Sequence, residues 1–126
     1  MKSLYATATD INYLVRALAL YRSFVPYLGS DMTFAFFCMD RQSVEILEEL
    51  DLAHCWIVAS DDFETDELKA VRAKRAMNEY CWTCKPAILL YALAREQSLD
   101  WVVYLDSDMM VFGNPDKPLI DAGEAN

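Results

Sequence analysis

The chain has 126 residues, 55% of them hydrophobic, 13% aromatic and 25% charged, with 20 acidic and 11 basic side chains and a formal charge of −9. That length suits one compact domain able to bury roughly two-thirds of its unfolded surface, and the composition excludes a disordered chain. The negative charge repels phosphate polymers and so excludes a nucleic-acid partner, while an anionic small substrate stays open if a cation is recruited locally.

The opening segment, MKSLYATATD, lacks the apolar run of a secretory signal, and residues 3–9 within it predict a first strand. Asp10 or Asn12 caps a helix running to about Phe24, with Leu14, Leu18, Tyr21 and Val25 as its apolar stripe. Pro26 and Gly29 end it. MTFAFFCM (32–39) predicts a second strand, apolar on both faces; Asp40 or Ser43 caps a short helix over SVEILEEL; HCWIVAS (54–60) predicts a third strand. An acidic loop, DDFETDE, leads into a basic helical piece near ELKAVRAKRA. KPAILLYALAREQ (85–97) predicts a longer helix with Pro86 in its first turn, where the missing N–H has no intrahelical partner. WVVYL (101–105) predicts a fourth strand, apolar enough for the middle of a protein. Strands alternating with helices, and lacking strict polar alternation, predict an α/β fold: a mostly parallel sheet with helices on both faces.

In such sheets ligands bind beyond the carboxyl ends of the strands. Asp10 and Asn12 follow the first strand, and Asp106 and Asp108 follow the fourth, so both pairs face one rim. Two carboxylates one residue apart repel unless they are protonated or share a cation. As hard oxygen ligands they suit Mg²⁺ or Mn²⁺, which keep water and bind substrate phosphates. The plainer alternative is a pair of solvated turn residues before Gly113–Pro115, but apolar WVVYL before and MMVF after embed the pair in the fold.

YLDSDMMVFGNP resembles the D-x-D segment of GT-A (Rossmann-like) nucleotide-sugar glycosyltransferases, in which an apolar strand leads into Asp-x-Asp and a short apolar strand follows. ATDINYLVRALALYRS is similar to the opening of glycosyltransferase family 8, through Ala8, Thr9, Asp10, Asn12, Tyr13 and Ser23. YCWTCKPAILLYAL resembles the helix preceding the D-x-D strand in bacterial relatives. The resemblance implies that Asp10 and Asn12 contact the uracil or ribose, with Ala8, Thr9 and Tyr13 shaping the base pocket. It implies that Lys85 approaches the diphosphate or donor sugar. Asp108 would bind the metal most directly, while Asp106, with Ser107 beside it, would contribute to the metal and to ribose or sugar hydroxyls. The implied donor is a nucleotide-diphospho-sugar, a UDP-sugar foremost, and the implied cofactor is Mn²⁺ or Mg²⁺. In that family an acceptor-binding half and a further metal ligand, often His, come later. The sequence stops at Asn126 and its single His, His54, lies upstream and reads as structural. The expectation is a truncated, nucleotide-binding half, weakly active or inactive alone, with an unclosed sheet edge that favours a homo-oligomer.

Rival readings attach to other residues. Cys81 and Cys84, in CWTCK, have the spacing of a dithiol redox site at a helix start, although an insert of Trp-Thr and a position after three strands argue for two packing cysteines. A haloacid-dehalogenase-like phosphatase also ends a strand in Asp-x-Asp, but on its first strand and with Thr or Val where Met110 stands. A non-catalytic interaction module would keep the fold alone. Cys38 and Cys55 read as buried free thiols, Tyr80 and Trp82 as aromatics packed under a loop, and Lys69, Arg72, Lys74 and Arg75 as an exposed helix face. No apolar run approaches the roughly 18 residues of a membrane span, so the expected location is cytoplasmic.

Overall fold

A computed structural model describes residues 1–124. Four strands, β1 (Ser3–Thr9), β2 (Met32–Cys38), β3 (Cys55–Ala59) and β4 (Trp101–Tyr104), form one all-parallel sheet in the order β3-β2-β1-β4. The helices are α1 (Leu14–Phe24), α2 (Arg41–Leu50), α3 (Ser60–Phe63), α4 (Asp66–Arg72), α5 (Met77–Arg95) and α6 (Asp116–Glu124), with a 3₁₀ turn at Val25–Tyr27. The fold is α/β and Rossmann-like.

β1 is buried from end to end, and its alternation assigns its two faces. Leu4, Ala6 and Ala8 join Ala35, Phe37 and Met39 in a core closed by Tyr80, Cys84, Ile88 and Ala92 of α5. Tyr5 joins Phe34, Phe36 and Cys38 in a second core closed by Leu14, Ala17, Leu20, Tyr21 and Phe24 of α1 and by Val44 and Leu47 of α2. In that second layer Phe34 lies against Phe24, Tyr21 and Phe36 at ring separations of 4.9–5.6 Å. The apolar character of β2 on both faces is explained by this sandwich.

The caps resolve as follows. Asp40, not Ser43, caps α2: its Oδ1 accepts from the Ser43 N–H at 3.1 Å. Its Oδ2 accepts from the Ile11 N–H at 2.8 Å, tying the loop after β1 to the head of α2. Burial pushes the Asp40 carboxyl up, but these hydrogen bonds and nearby Arg72 outweigh it and hold it below its usual range. Ahead of α1, Asp10 Oδ1 accepts from the N–H groups of Asn12 and Tyr13. Val25 falls past the end of α1 and is half exposed, so the inward stripe is Leu14, Ala17, Leu20, Tyr21 and Phe24.

Several expectations change. The long helix begins at Met77, not Lys85, and Pro86 lies inside it. Pro86 sits with Trp82 and Leu90 on the exposed side, where solvent can reach the carbonyl that loses its partner, while Tyr80, Cys84, Ile88 and Ala92 carry the buried side through the proline at four-residue spacing. β4 is an edge strand, paired with β1 alone among the described residues, and only half-buried. Residues 109–112 form no strand. The basic run divides: α4 ends at Arg72, whose guanidinium turns inward to Glu64 (2.7 Å), the Met39 carbonyl and the Tyr80 ring, while Lys69, Lys74 and Arg75 remain exposed. The acidic segment before it is not merely a solvated loop, since Phe63 is buried and the Glu64 side chain is 3% exposed. Cys38 is buried and Cys55 half-buried; burial pushes each thiol up to about 12. His54 is an exposed left-handed residue (φ 52°) ahead of β3.

α6 was not expected. Asn114 Oδ1 accepts from the Asp116 N–H, and Pro115 follows in a first-turn position. Asp116 is buried and accepts from the hydroxyls of Ser3 (2.9 Å) and Tyr5 (2.7 Å), which locks α6 to β1. Asp116→Ala leaves the buried Tyr5 hydroxyl without its acceptor and Ser3 with only the Asp31 carbonyl at 3.5 Å, and is predicted to lower stability by about 1–3 kcal/mol in urea unfolding. A loss below about 0.5 kcal/mol would show that this lock contributes nothing.

Candidate functional site at the strand-order reversal

From β1 the chain steps outward to β2 and β3 and then returns to β4 on the opposite side of β1. The reversal lies between β1 and β4, where parallel sheets open a crevice beyond their strand ends. An open cleft of about 520 Å³ occupies it. Ala8, Thr9, Asp10, Asn12 and Tyr13 from the β1 end line it together with Asp106, Ser107 and Asp108 from the β4 end. Lys85 stands just behind, with Nζ 3.3 Å from Asp106 Oδ1 and 4.9 Å from the centre of the Tyr104 ring.

Each group is positioned by its element. Parallel pairing sets Ala6 beside Tyr104, and the Leu105 N–H donates to the Ala6 carbonyl at 2.8 Å, so the two strand ends leave the sheet side by side. The Met109 N–H returns to the Asp106 carbonyl at 3.2 Å, closing a turn that holds Ser107 and Asp108 at its tip. Asp106 and Asp108 are exposed and Asp10 is buried. One oxygen of Asp10 is committed to the turn that starts α1. Lys85 and Asp106 are both too accessible for their ion pair to hold firmly.

The remaining lining consists of Arg16, Met77, Asn78, Cys81, Trp82 and Tyr104. Arg16 lies over the Tyr13 ring at 5.3 Å and has no carboxylate partner within salt-bridge distance among the described residues. Its place three residues after Tyr13, one turn along α1, was the available signal. Trp82 is 60% exposed in the cleft wall rather than packed away, whereas Tyr80 is core.

Among the described residues no group of three or more His, Cys, Asp or Glu is gathered as a metal site. What the rim offers a hard divalent cation is the paired carboxylates of Asp106 and Asp108. Their donor chemistry fits Mg²⁺ or Mn²⁺ with water and phosphate oxygens completing the shell.

Cys81 and Cys84 do not sit at a helix start: α5 already has a turn before them. Cys84 is buried, and Cys81 borders the cleft with its thiol pushed up to about 11 by burial, then by Cys84 and Asp10. A dithiol catalyst needs the opposite shift.

No family model matches the chain. It is similar to the uncharacterized protein YfnF of Bacillus subtilis strain 168, 30% identical over 115 residues, which are 91% of this chain and 38% of YfnF. It is also similar to the uncharacterized protein YfnD of the same organism, 30% identical over 78 residues, or 62% of this chain and 25% of YfnD. The chain thus spans well under half the length of either relative. Among the described residues no helix is long and apolar enough to cross a membrane.

Because its thiolate forms only near pH 11, Cys81 is predicted to react slowly with iodoacetamide at pH 8 and progressively faster as the pH is raised towards 11. Mass spectrometry of the alkylated chain reads this directly. Rapid labelling at pH 7 would return the redox reading to contention.

Proposed function

We propose that this domain binds a nucleotide-diphospho-sugar, a UDP-sugar foremost, and serves glycosyl transfer in a GT-A-type enzyme. The observation that carries the proposal is the meeting of Ala8–Tyr13 with Asp106–Asp108 in one cleft at the strand-order reversal. The resemblance noted in the sequence attaches to these same two segments, and folding brings them together from opposite ends of the chain.

Tyr13 presents an exposed ring to a base, and Asn12 and the uncommitted oxygen of Asp10 face the ribose. Asp106 and Asp108 would hold Mn²⁺ or Mg²⁺, and Ser107, which lines the same cleft, would offer its hydroxyl to the sugar. The bound cation supplies a Lewis acid that stabilises the charge gathering on the departing nucleoside diphosphate. Lys85 would release Asp106 and turn to the diphosphate, a small movement for a half-buried side chain on a flexible four-carbon stem. The bond broken joins the anomeric carbon to a diphosphate oxygen, which leaves with the electron pair; the bond formed joins that carbon to an acceptor hydroxyl oxygen, whose proton passes to the departing diphosphate or to solvent. Four free cysteines suit a reducing compartment and support a cytoplasmic location. The half-exposed edge of β4 favours self-association or a further strand.

Calorimetry with UDP is predicted to show binding that requires Mn²⁺ and disappears in Asp108→Asn. Lys85→Ala is predicted to weaken it about tenfold, the worth of one charge-assisted contact of ~1.5 kcal/mol. No heat with UDP, with or without metal, would remove the proposal.

A further inference from the structure

We infer that Ser23, on the last turn of α1, is a positioning residue for the metal-binding aspartates. The inference rests on the glycosyl-transfer reading of the cleft, but it concerns a residue outside the cleft lining. Ser23 Oγ lies 2.6 Å from the Leu20 carbonyl and 3.1 Å from the Val111 nitrogen. A serine hydroxyl has one proton, and here it is donated to Leu20; the oxygen is therefore aimed as an acceptor for the Val111 N–H.

The consequence lies in the path of residues 107–113. They form no strand or helix, and Met109, Met110 and Phe112 are exposed, Phe112 by 93%. Upstream, the segment is fixed where the Leu105 N–H meets the Ala6 carbonyl. Downstream, it is fixed by Asp116 on Ser3 and Tyr5. Between these anchors, the Val111–Ser23 bond is the one hydrogen bond from residues 107–113 to a distant part of the chain among the described residues. Val111 also packs against the α1 core, so the bond and the burial act at the same point.

Asp108 is three residues before that anchor, at the tip of the turn that Met109 closes on Asp106. A divalent cation needs its carboxylates held at a fixed separation against their mutual repulsion. Without Ser23 the stretch between Leu105 and Asp116 would keep only the packing of Val111 as its hold on α1, and the turn that carries Asp108 would gain play. Asp106 and Asp108 would then spread apart, and the cation would lose one of them.

The test is UDP binding in the presence of Mn²⁺, followed by calorimetry on the full chain. Ser23→Ala is predicted to weaken binding about tenfold, as loss of a partner beyond the ligands themselves commonly does. Ser23→Thr keeps a hydroxyl able to bond Leu20 and Val111, and is predicted to stay within about threefold of the unsubstituted chain. Unchanged affinity in Ser23→Ala, or a loss in Ser23→Thr as large as in Ser23→Ala, overturns the inference and leaves the proposed function standing. Absence of binding in the unsubstituted chain removes both. Should Ser23→Ala fail to fold, hydrogen exchange in the unsubstituted chain decides. The Val111 amide is predicted to exchange at least about tenfold more slowly than that of Met110, and equal rates overturn the inference.

Discussion

β1 is hydrogen-bonded along both edges, to β2 from Ser3 through Thr9 and to β4 from Ser3 through Ala6. Everything at the rim depends on that double pairing. Because the longer ladder runs three residues beyond the shorter, β1 continues past the end of β4 and turns its last residues over the gap. The small side chains Ala6 and Ala8 let α5 approach the sheet on one side, and Tyr5 packs at a tilt against Phe24, ring centres 4.8 Å apart, on the other. With both faces packed and both edges bonded, β1 has no freedom to shift register without turning an entire apolar face the wrong way. Asp10 is placed by this rigidity, and Asp106 is placed relative to it through Ala6.

The charges at the cleft set the chemistry. Asp10, Asp106 and Asp108 border it, while Lys85 is engaged by Asp106 and Arg16 rests on Tyr13. In a chain of formal charge −9 this rim would repel a diphosphate unless a doubly charged ion came with it. Arg16, in the cleft lining on α1, and Lys85, behind it on α5, add positive charge near the carboxylates. Under the proposed function, the exposed carboxylates of Asp106 and Asp108 would take the metal and these two cations would stand near its anionic partner. Ser23 and Asp116, both away from the cleft, hold the chain that carries two of the three carboxylates.

Much of this was legible in the residues. The four strands were, because each is a short apolar run bounded by turn or capping residues, and parallel pairing follows from the helices between them. The rim residues were legible because strand ends in parallel sheets share one side. Most of what failed had tertiary causes. The start of α5 was hidden by Pro86, whose local cost is outweighed by four buried side chains on the opposite face. The hydrophobicity of β4 suggested a buried strand, yet an apolar run says only that a strand can be buried, not that an edge position will leave it half-exposed. α6 carried a readable signal, Asn114 before Pro115, that was spent on a turn. The inward turn of Arg72 and the bond from Ser23 to Val111 join residues far apart in sequence, and no local pattern announces them.

The central claim is that Asp106 and Asp108 share a divalent cation at the reversal between β1 and β4. Anomalous diffraction from a crystal grown with Mn²⁺ and UDP tests it most directly. The account predicts one manganese peak within coordinating distance of both carboxylates and of the diphosphate oxygens. A peak elsewhere, or two aspartates diverging into bulk solvent beside bound UDP, would contradict it.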